Sequence, residues 1–333
     1  MATPAGPVPR ISTTLDAKDL LGTIGARTGF YRNNYKVTPG LYCVGAPESS
    51  SPVLVTANYK LSFDALRKEL HGLHCWILVV DTRGINVWCA GGKGTFSAEE
   101  IAFQLQKAEL SSIVSHKKLV LPQLSANGVA LHKLKKLCGF RGEFGPIRAS
   151  DIKEFLQAGE TTETMRTVTF TMAERAVLIP LEICLLWKQL LYITLFFFLV
   201  SGISGEFYNL SQALQRGTAL TLATLIAIFA GATATPLLLP WIPARQFWIK
   251  GMITGAIAGL LFTGVLFTTE STLDGLAIIL WILGCSSYLA MNFTGSTVYT
   301  SLSGVEKEMR SGLVFQIATT ALALIIWLIS PFI

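Results

Sequence analysis

Asn86-Val87-Trp88-Cys89-Ala90-Gly91-Gly92-Lys93 is the stretch whose reading decides the fold. It follows an apolar run, His74 to Asp81, with the composition of a buried strand, and it precedes a helical pattern beginning near Ser97. Strand, short polar turn and helix in that order form the joint at which α/β proteins place ligands. With Asn86 as N-cap, Cys89 falls in the first helical turn, where free N–H groups and the helix dipole favour a thiolate. Lys93 lies one turn further along the same face and favours the same anion. Two adjacent glycines weaken a helix, and the usual reason to keep them is that something large approaches the backbone. A phosphate loop fails on spacing, because Val87 stands where that motif has its first glycine and Gly94 where it has Ser or Thr.

Outward from this joint the pattern alternates. Val53 to Asn58 reads as a strand, Phe63 to Leu70 as a helix, Ala98 to Leu110 as a helix with Ile101, Leu105 and Ala108 on one face, and Lys118 to Leu121 as a strand. Gly128 to Leu137 is a basic amphipathic helix, a strand ends near Gly145-Pro146, and Asp151 to Leu156 is helical. This βαβα order predicts a Rossmann-like α/β domain over residues 51–165. Residues 1–50, rich in Pro, Gly and Thr, read as an irregular arm with short helices, and 166–182 as a connector.

Composition demands a second kind of domain. The chain has 333 residues, 51% of them hydrophobic and 14% charged, and its mean hydropathy of +0.51 is too apolar for a soluble protein of this size. Residues 1–176 carry 21 Lys/Arg and 15 Asp/Glu, whereas 177–333 carry 6 of each, so the whole net charge of +6 lies in the first half. Its basic clusters, His116-Lys117-Lys118 and Lys133 to Lys136, read as solvated faces that also suit anionic lipid or an acidic partner. Over 183–333 five apolar segments, near 183–203, 217–239, 247–268, 273–292 and 311–331, each approach the roughly 20 residues needed to cross a bilayer, giving an all-α transmembrane domain of five helices. Arg166, Arg175, Arg245, Lys250, Lys307 and Arg310 fall on one side of these spans and only Arg216 on the other. The charge rule then predicts a multi-pass protein of the cytoplasmic membrane, its N-terminal domain in the cytoplasm and its C-terminus outside.

Met1 to Asp16 has no apolar core of signal-peptide length. Gly251, Gly255 and Gly259 recur every four residues in the third span, a pattern of close helix packing. The spans lack a central ionisable residue, which argues against a transporter. The six cysteines (43, 75, 89, 138, 184 and 285) contain no C-x-x-C pair, which argues against disulfides, structural zinc and an intrinsic iron–sulfur cluster. His71, His74 and Cys75 are close in sequence, but a helix end and a buried strand account for them better than a metal does. Nothing in the charge pattern calls for nucleic acid.

The string Asn86 to Lys93 closely resembles the cap-helix motif of the mercury-methylating corrinoid proteins (HgcA type), Asn-Val/Ile-Trp-Cys-Ala-Ala/Gly-Gly-Lys, at every position. Thr56 at the end of the first strand, Leu121-Pro122-Gln123-Leu124-Ser125, and Phe144-Gly145-Pro146-Ile147-Arg148-Ala149 resemble joints of that family and of the related corrinoid iron–sulfur protein large subunit. The hydroxyl-rich connection from Asn292 to Arg310 resembles both as well, and reads equally as a segment that covers the corrinoid or docks the redox partner, or as a plain polar loop.

The resemblance implies a cobalamin-type corrinoid bound base-off, with Cys89 as catalytic residue and lower axial ligand of the cobalt. It implies a cofactor-binding set of Thr56, Asn86, Val87, Trp88, Cys89, Ala90, Gly91, Gly92, Lys93, Leu121, Pro122, Gln123, Leu124, Gly145, Pro146 and Arg148. Within that set Trp88 is expected to pack against sheet or macrocycle, and Gly91 and Gly92 to admit the corrin plane. The implied reaction is methyl transfer from methyl-Co(III) to inorganic Hg(II), giving methylmercury. Implied partners are a ferredoxin-like iron–sulfur protein (HgcB type) as electron donor and mercury carrier, and a methyltetrahydrofolate-linked methyl donor. Two alternatives stand beside it: a membrane-tethered corrinoid methyl carrier in one-carbon and acetyl-CoA metabolism, and a non-enzymatic cobalamin-binding membrane sensor.

Overall fold

The computed structural model describes residues 1–205, 207–266, 271–297 and 300–333. The end of the third expected span at 267–268, and positions 298–299 of the connection after Asn292, lie outside the described residues. The chain divides into two units, Met1–Thr169 and Phe170–Ile333.

The first unit opens with a two-residue ladder of β1 (Ala2–Thr3) and β2 (Gly6–Pro7), then α1 (Ala17–Arg27), β3 (Gly40–Val44), β4 (Val53–Ala57) and α2 (Lys60–Arg67). β5 (Cys75–Val80), α3 (Val87–Gly92), α4 (Ala98–Lys107) and α5 (Leu110–Ile113) follow, then β6 (Lys118–Leu121), α6 (Leu131–Cys138), β7 (Arg141–Phe144), α7 (Ile152–Ala158) and α8 (Glu163–Arg166). The sheet order is β3-β5-β4-β6-β7. β4, β5, β6 and β7 run parallel, and β3 is antiparallel to β5. All six residues of β5 are buried, as a strand covered on both faces requires. Its side chains alternate: Trp76, Leu78 and Val80 enter a core with Ile101, Leu105 and Leu134, whereas Cys75, Ile77 and Val79 enter one with Phe63, Ile152 and Phe155.

The expected strands and helices appear close to their expected bounds. One reading needs correction: residues 1–50 are not an irregular arm throughout. They supply α1, closed by an Asp16/Asp19 capping box, and the edge strand β3, whose register runs from Gly40↔Val79 to Val44↔Cys75. The helix expected over Ala98 to Leu110 breaks at Glu109, whose φ of 46° is left-handed. α1 is pinned to α2 by an ion-pair network in which Lys60 and Arg67 each reach Asp19 at 2.5 Å and Asp64 at 2.7 Å.

The second unit is helical. α9 (Met172–Ala176), α10 (Ile179–Leu185) and α11 (Trp187–Ser201) come first. The run Met172–Leu185 meets Trp187–Ser201 at a 50° bend, where the Leu186 N–H bonds Ile183 O, three residues back, and interrupts the α ladder. α12 (Leu210–Ile228) continues through a π-helical stretch, Phe229–Ala234, into α13 (Thr235–Leu237). α14 (Phe247–Leu261), α15 (Thr272–Asn292) and α16 (Leu302–Ile329) complete the unit. Among the described residues four helices are long and apolar enough to cross a membrane, or five with the bent pair taken as one span. Along α14 the glycine stripe packs on α15: a Cβ at Gly251 would lie 2.5 Å from Ala290 Cβ, and one at Gly255 2.8 Å from Ser286 Cβ.

Candidate functional site

In the parallel part of the sheet the spatial order β5-β4-β6-β7 reverses direction between β4 and β6. That switch point, at the carboxyl ends of the strands, is where open α/β sheets hold ligands. Three of the sequence-predicted elements meet around it. Thr56 is buried near the end of β4, Leu121 ends β6, and α3 packs on both β4 and the 3₁₀ turn Gln123–Ser125.

The loop from β5 to α3 is fixed by a residue that the sequence reading did not single out. Asn58 lies just beyond β4, and its Oδ1 accepts from Thr82 N at 3.1 Å, Thr82 Oγ1 at 2.9 Å and Gly84 N at 2.9 Å. Its Nδ2 donates to Asp81 Oδ1 at 2.9 Å. Both ends of one amide are thereby spent on holding the loop that launches α3. Asn86 then caps the helix as expected, its Oδ1 accepting from Cys89 N at 2.9 Å.

The six-residue helix has two sides. Val87 packs against the core, and Ala90 and Gly91 are buried. Trp88 and Cys89 are half-buried, and Gly92 and Lys93 are exposed. Val87, rather than Trp88, is thus the residue that packs on the core beneath. Cys89 differs from its neighbours in the first unit. Cys43 and Cys75 are fully buried, burial pushes the Cys75 thiol up to about 12, and Cys138 donates to Leu134 O at 3.2 Å. Among the described residues of that unit, Cys89 is the cysteine that is neither buried nor engaged as a donor.

The glycines also divide. A Cβ at Gly91 would fall 2.2 Å from Asn127 Oδ1, and one at Gly128 would fall 2.7 Å from Gly91 Cα and 2.6 Å from Phe96 O. Gly91 therefore admits the loop after β6. Gly92 is different: its nearest neighbour would be Asn127 Nδ2 at 3.7 Å, so its outer side is open. The Asn127-Gly128 pair had a turn signature in the sequence, but nothing local announced that it meets the cap helix.

Of the remaining candidates, Pro122, Gln123 and Leu124 are half-buried beside α3. Gly145 and Pro146 are buried beyond β7, where Gly145 N donates to Leu121 O at 2.8 Å and extends the ladder. Arg148 is exposed and hydrogen-bonds Thr169 Oγ1. His71 and His74 are separately engaged, His71 with Thr13 Oγ1 at 3.5 Å and His74 accepting from Ala46 N at 2.9 Å.

A family model described as CO dehydrogenase/acetyl-CoA synthase delta subunit matches residues 10–156. Over 152 residues, 44% of this chain and 32% of the relative, the chain is 30% identical to the acetyl-CoA decarbonylase/synthase complex subunit gamma of Methanopyrus kandleri. The corresponding subunit of Methanosarcina acetivorans is 36% identical over 130 residues, 38% of this chain and 27% of the relative. The corrinoid/iron-sulfur protein large subunit of Moorella thermoacetica is 33% identical over 149 residues, 43% of this chain and 33% of the relative. The alignments span about a third of the length of these relatives. They carry the broader of the two resemblances read from the sequence, and the mercury-methylating one rests on the cap string.

Proposed function

We propose that the chain is a membrane-anchored corrinoid protein that transfers a methyl group, with Cys89 as the residue that would supply a sulfur ligand to the cobalt. The observation that carries this reading is the position of Cys89, a half-exposed thiol in the first turn of a capped helix packed over the β4/β6 switch point. The family match and the names of the relatives support corrinoid binding and a role in methyl transfer within acetyl-CoA metabolism.

The residues fit such a group. A thiolate is a soft, electron-rich donor suited to a metal ligand, and Gly92 leaves the outer side of the helix open beside it. A bound corrinoid supplies a cobalt that accepts and releases methyl. The chain's own part is to hold the sulfur in place. Asn58 fixes the approach loop, Asn86 fixes the Cys89 backbone, and Gly91 against Gly128 sets the height of the helix over the sheet. Lys93, Thr56, the Leu121 to Leu124 turn and the Gly145 to Arg148 loop would border a bound corrinoid.

The finer assignment concerns the acceptor. The cap string supports Hg(II), a soft electrophile, as acceptor of the methyl group that a bound corrinoid would supply, with the Cys89 sulfur as the donor that would hold the cobalt. The relatives' names favour a second reading, a membrane-tethered methyl carrier in one-carbon metabolism. Both readings take electrons from a ferredoxin-like partner (HgcB type) and methyl from a methyltetrahydrofolate-linked donor.

The test is the optical spectrum of the full chain reconstituted with methylcobalamin, wild type beside Cys89→Ala, followed by a Hg(II)–thiol complex in competition with acetyl-CoA pathway acceptors. Sulfur-ligated, base-off absorption in the wild type alone, with methylmercury as product, is the expected result. Identical spectra in both proteins would remove Cys89 as ligand. Methyl delivered only to the metabolic acceptors would select the carrier reading.

A further inference from the structure

Helix α1 is amphipathic the wrong way round. Its small residues Gly25 and Ala26 are buried, whereas Leu20, Leu21 and Ile24 are 55%, 66% and 58% exposed. Their spacing puts the three on one stripe of the helix. The cause of the inversion is the loop that follows. A Cβ at Gly22 would lie 2.2 Å from Tyr35 Oη and one at Gly25 2.3 Å from Tyr31 Cδ2, so the loop docks on the small-residue face and leaves the aliphatic one bare. Phe30 and Tyr31, 83% and 60% exposed, extend the bare surface from the end of the helix. Exposed apolar residues scattered singly need no explanation, but a cluster does.

Cations outnumber anions around this surface, where Asp16 at the cap is the exposed acid. Lys18, Arg32 and Lys36 are exposed and Arg27 half-exposed. The acidic groups of the helix are spent elsewhere: Asp16 accepts from Asp19 N in the cap, and Asp19 is held by Lys60 and Arg67.

We propose that α1 and the Phe30–Arg32 turn form an interfacial element that lies in the headgroup region of an anionic bilayer. An aliphatic stripe, aromatic side chains at its end and a rim of Lys and Arg are the chemistry of a helix resting on lipid. Among its described residues the same chain carries four to five helices long and apolar enough to span that bilayer. Contact with lipid is then intramolecularly tethered, so a short helix with weak intrinsic affinity suffices.

The experiment uses the full chain in nanodiscs of phosphatidylcholine, with or without phosphatidylglycerol, containing a lipid with a diazirine near its glycerol backbone. After photolysis, label appears on the peptide covering 17–32, severalfold more with phosphatidylglycerol present. The double variant Leu21→Glu, Ile24→Glu loses this label while the labelling of Leu210–Leu237 and the melting of the helical signal stay unchanged. Arg27→Glu with Arg32→Glu removes the dependence on phosphatidylglycerol. The proposal is overturned if 17–32 stays unlabelled in both membranes while Leu210–Leu237 is labelled. It is equally overturned if the Glu variants label as the wild type does, or if the surface is covered only on adding an acidic ferredoxin.

Discussion

Both units bring backbone close to backbone through glycine, and they do so to different ends. In the first unit Gly91 lies against Gly128, where the cap helix meets the loop after β6. In the second, Gly251, Gly255 and Gly259 spread the approach along α14, and Gly231 adds a contact to Ser286 O. Helices in lipid gain little from burying apolar surface against one another, so close packing of small residues has to hold them. A stripe divides that task among several positions. A local contact positions one element, and here that is the helix carrying Cys89.

The comparison breaks most visibly at Cys89. Cys89→Ala is expected to abolish the sulfur-ligated spectrum and methyl transfer while shifting stability by less than ~0.5 kcal/mol, because the side chain lies outside the core. Loss of the fold together with activity would mean that the cysteine is structural.

The glycine contacts come next. Gly128→Ala places a methyl against backbone, 2.6 Å from Phe96 O and 2.7 Å from Gly91 Cα, so α3 must move. We expect a loss of about 1–3 kcal/mol in denaturant unfolding and a displaced corrinoid spectrum. Gly91→Ala meets only the tip of the Asn127 side chain, which can swing aside, and is expected to cost less. Equal damage from the two would assign the positioning role to the Asn127 amide. In the second unit the expected order is Gly251→Ala, Gly255→Ala, Gly259→Ala, following clearances of 2.5, 2.8 and 3.3 Å. Detergent-induced unfolding of the full chain measures it, and equal effects would deny the stripe its graded character.

A smaller effect is set by pH. Burial alone would raise the Asp19 carboxyl, but hydrogen bonds from Lys60, Asp16 N–H and Arg67 outweigh it and hold the group well below its ordinary 3.8. A depressed folded value contributes stability above the unfolded one. Asp19→Asn should therefore flatten a loss of stability that the wild type shows as pH falls below about 4, with little change in that slope above it. The smallest effect is expected at Gly92→Ala, within ~0.5 kcal/mol in stability, yet weakening corrinoid binding, because the added methyl projects from the open side of the cap.

β4, β5 and β6 were legible because each is an apolar run ended by turn residues, and β6 coincides with its expected bounds, whereas β7, Arg-Gly-Glu-Phe, was placed only by the Gly145-Pro146 turn that follows it. The cap was legible because Asn86 acts on its own helix. What escaped depends on contacts distant in sequence. α1 hides its small face and shows its large one, so apolar periodicity pointed to no buried side. β3 is a short edge strand whose meaning comes from β5. Asn58 and Asn127-Gly128 look like ordinary turn residues until the strand order brings their loops to α3. The bend at Leu186 has no proline or glycine at the break to announce it.

The antiparallel edge strand has a consequence for synthesis. β3 leaves the ribosome before β4, yet its partner in the sheet is β5, with Gly40 paired to Val79. The segment made early must wait, unpaired, while a later strand emerges and settles against β4. Domains tend to fold as they are made, from the N-terminus onward, but here the opening stretch is completed after the middle.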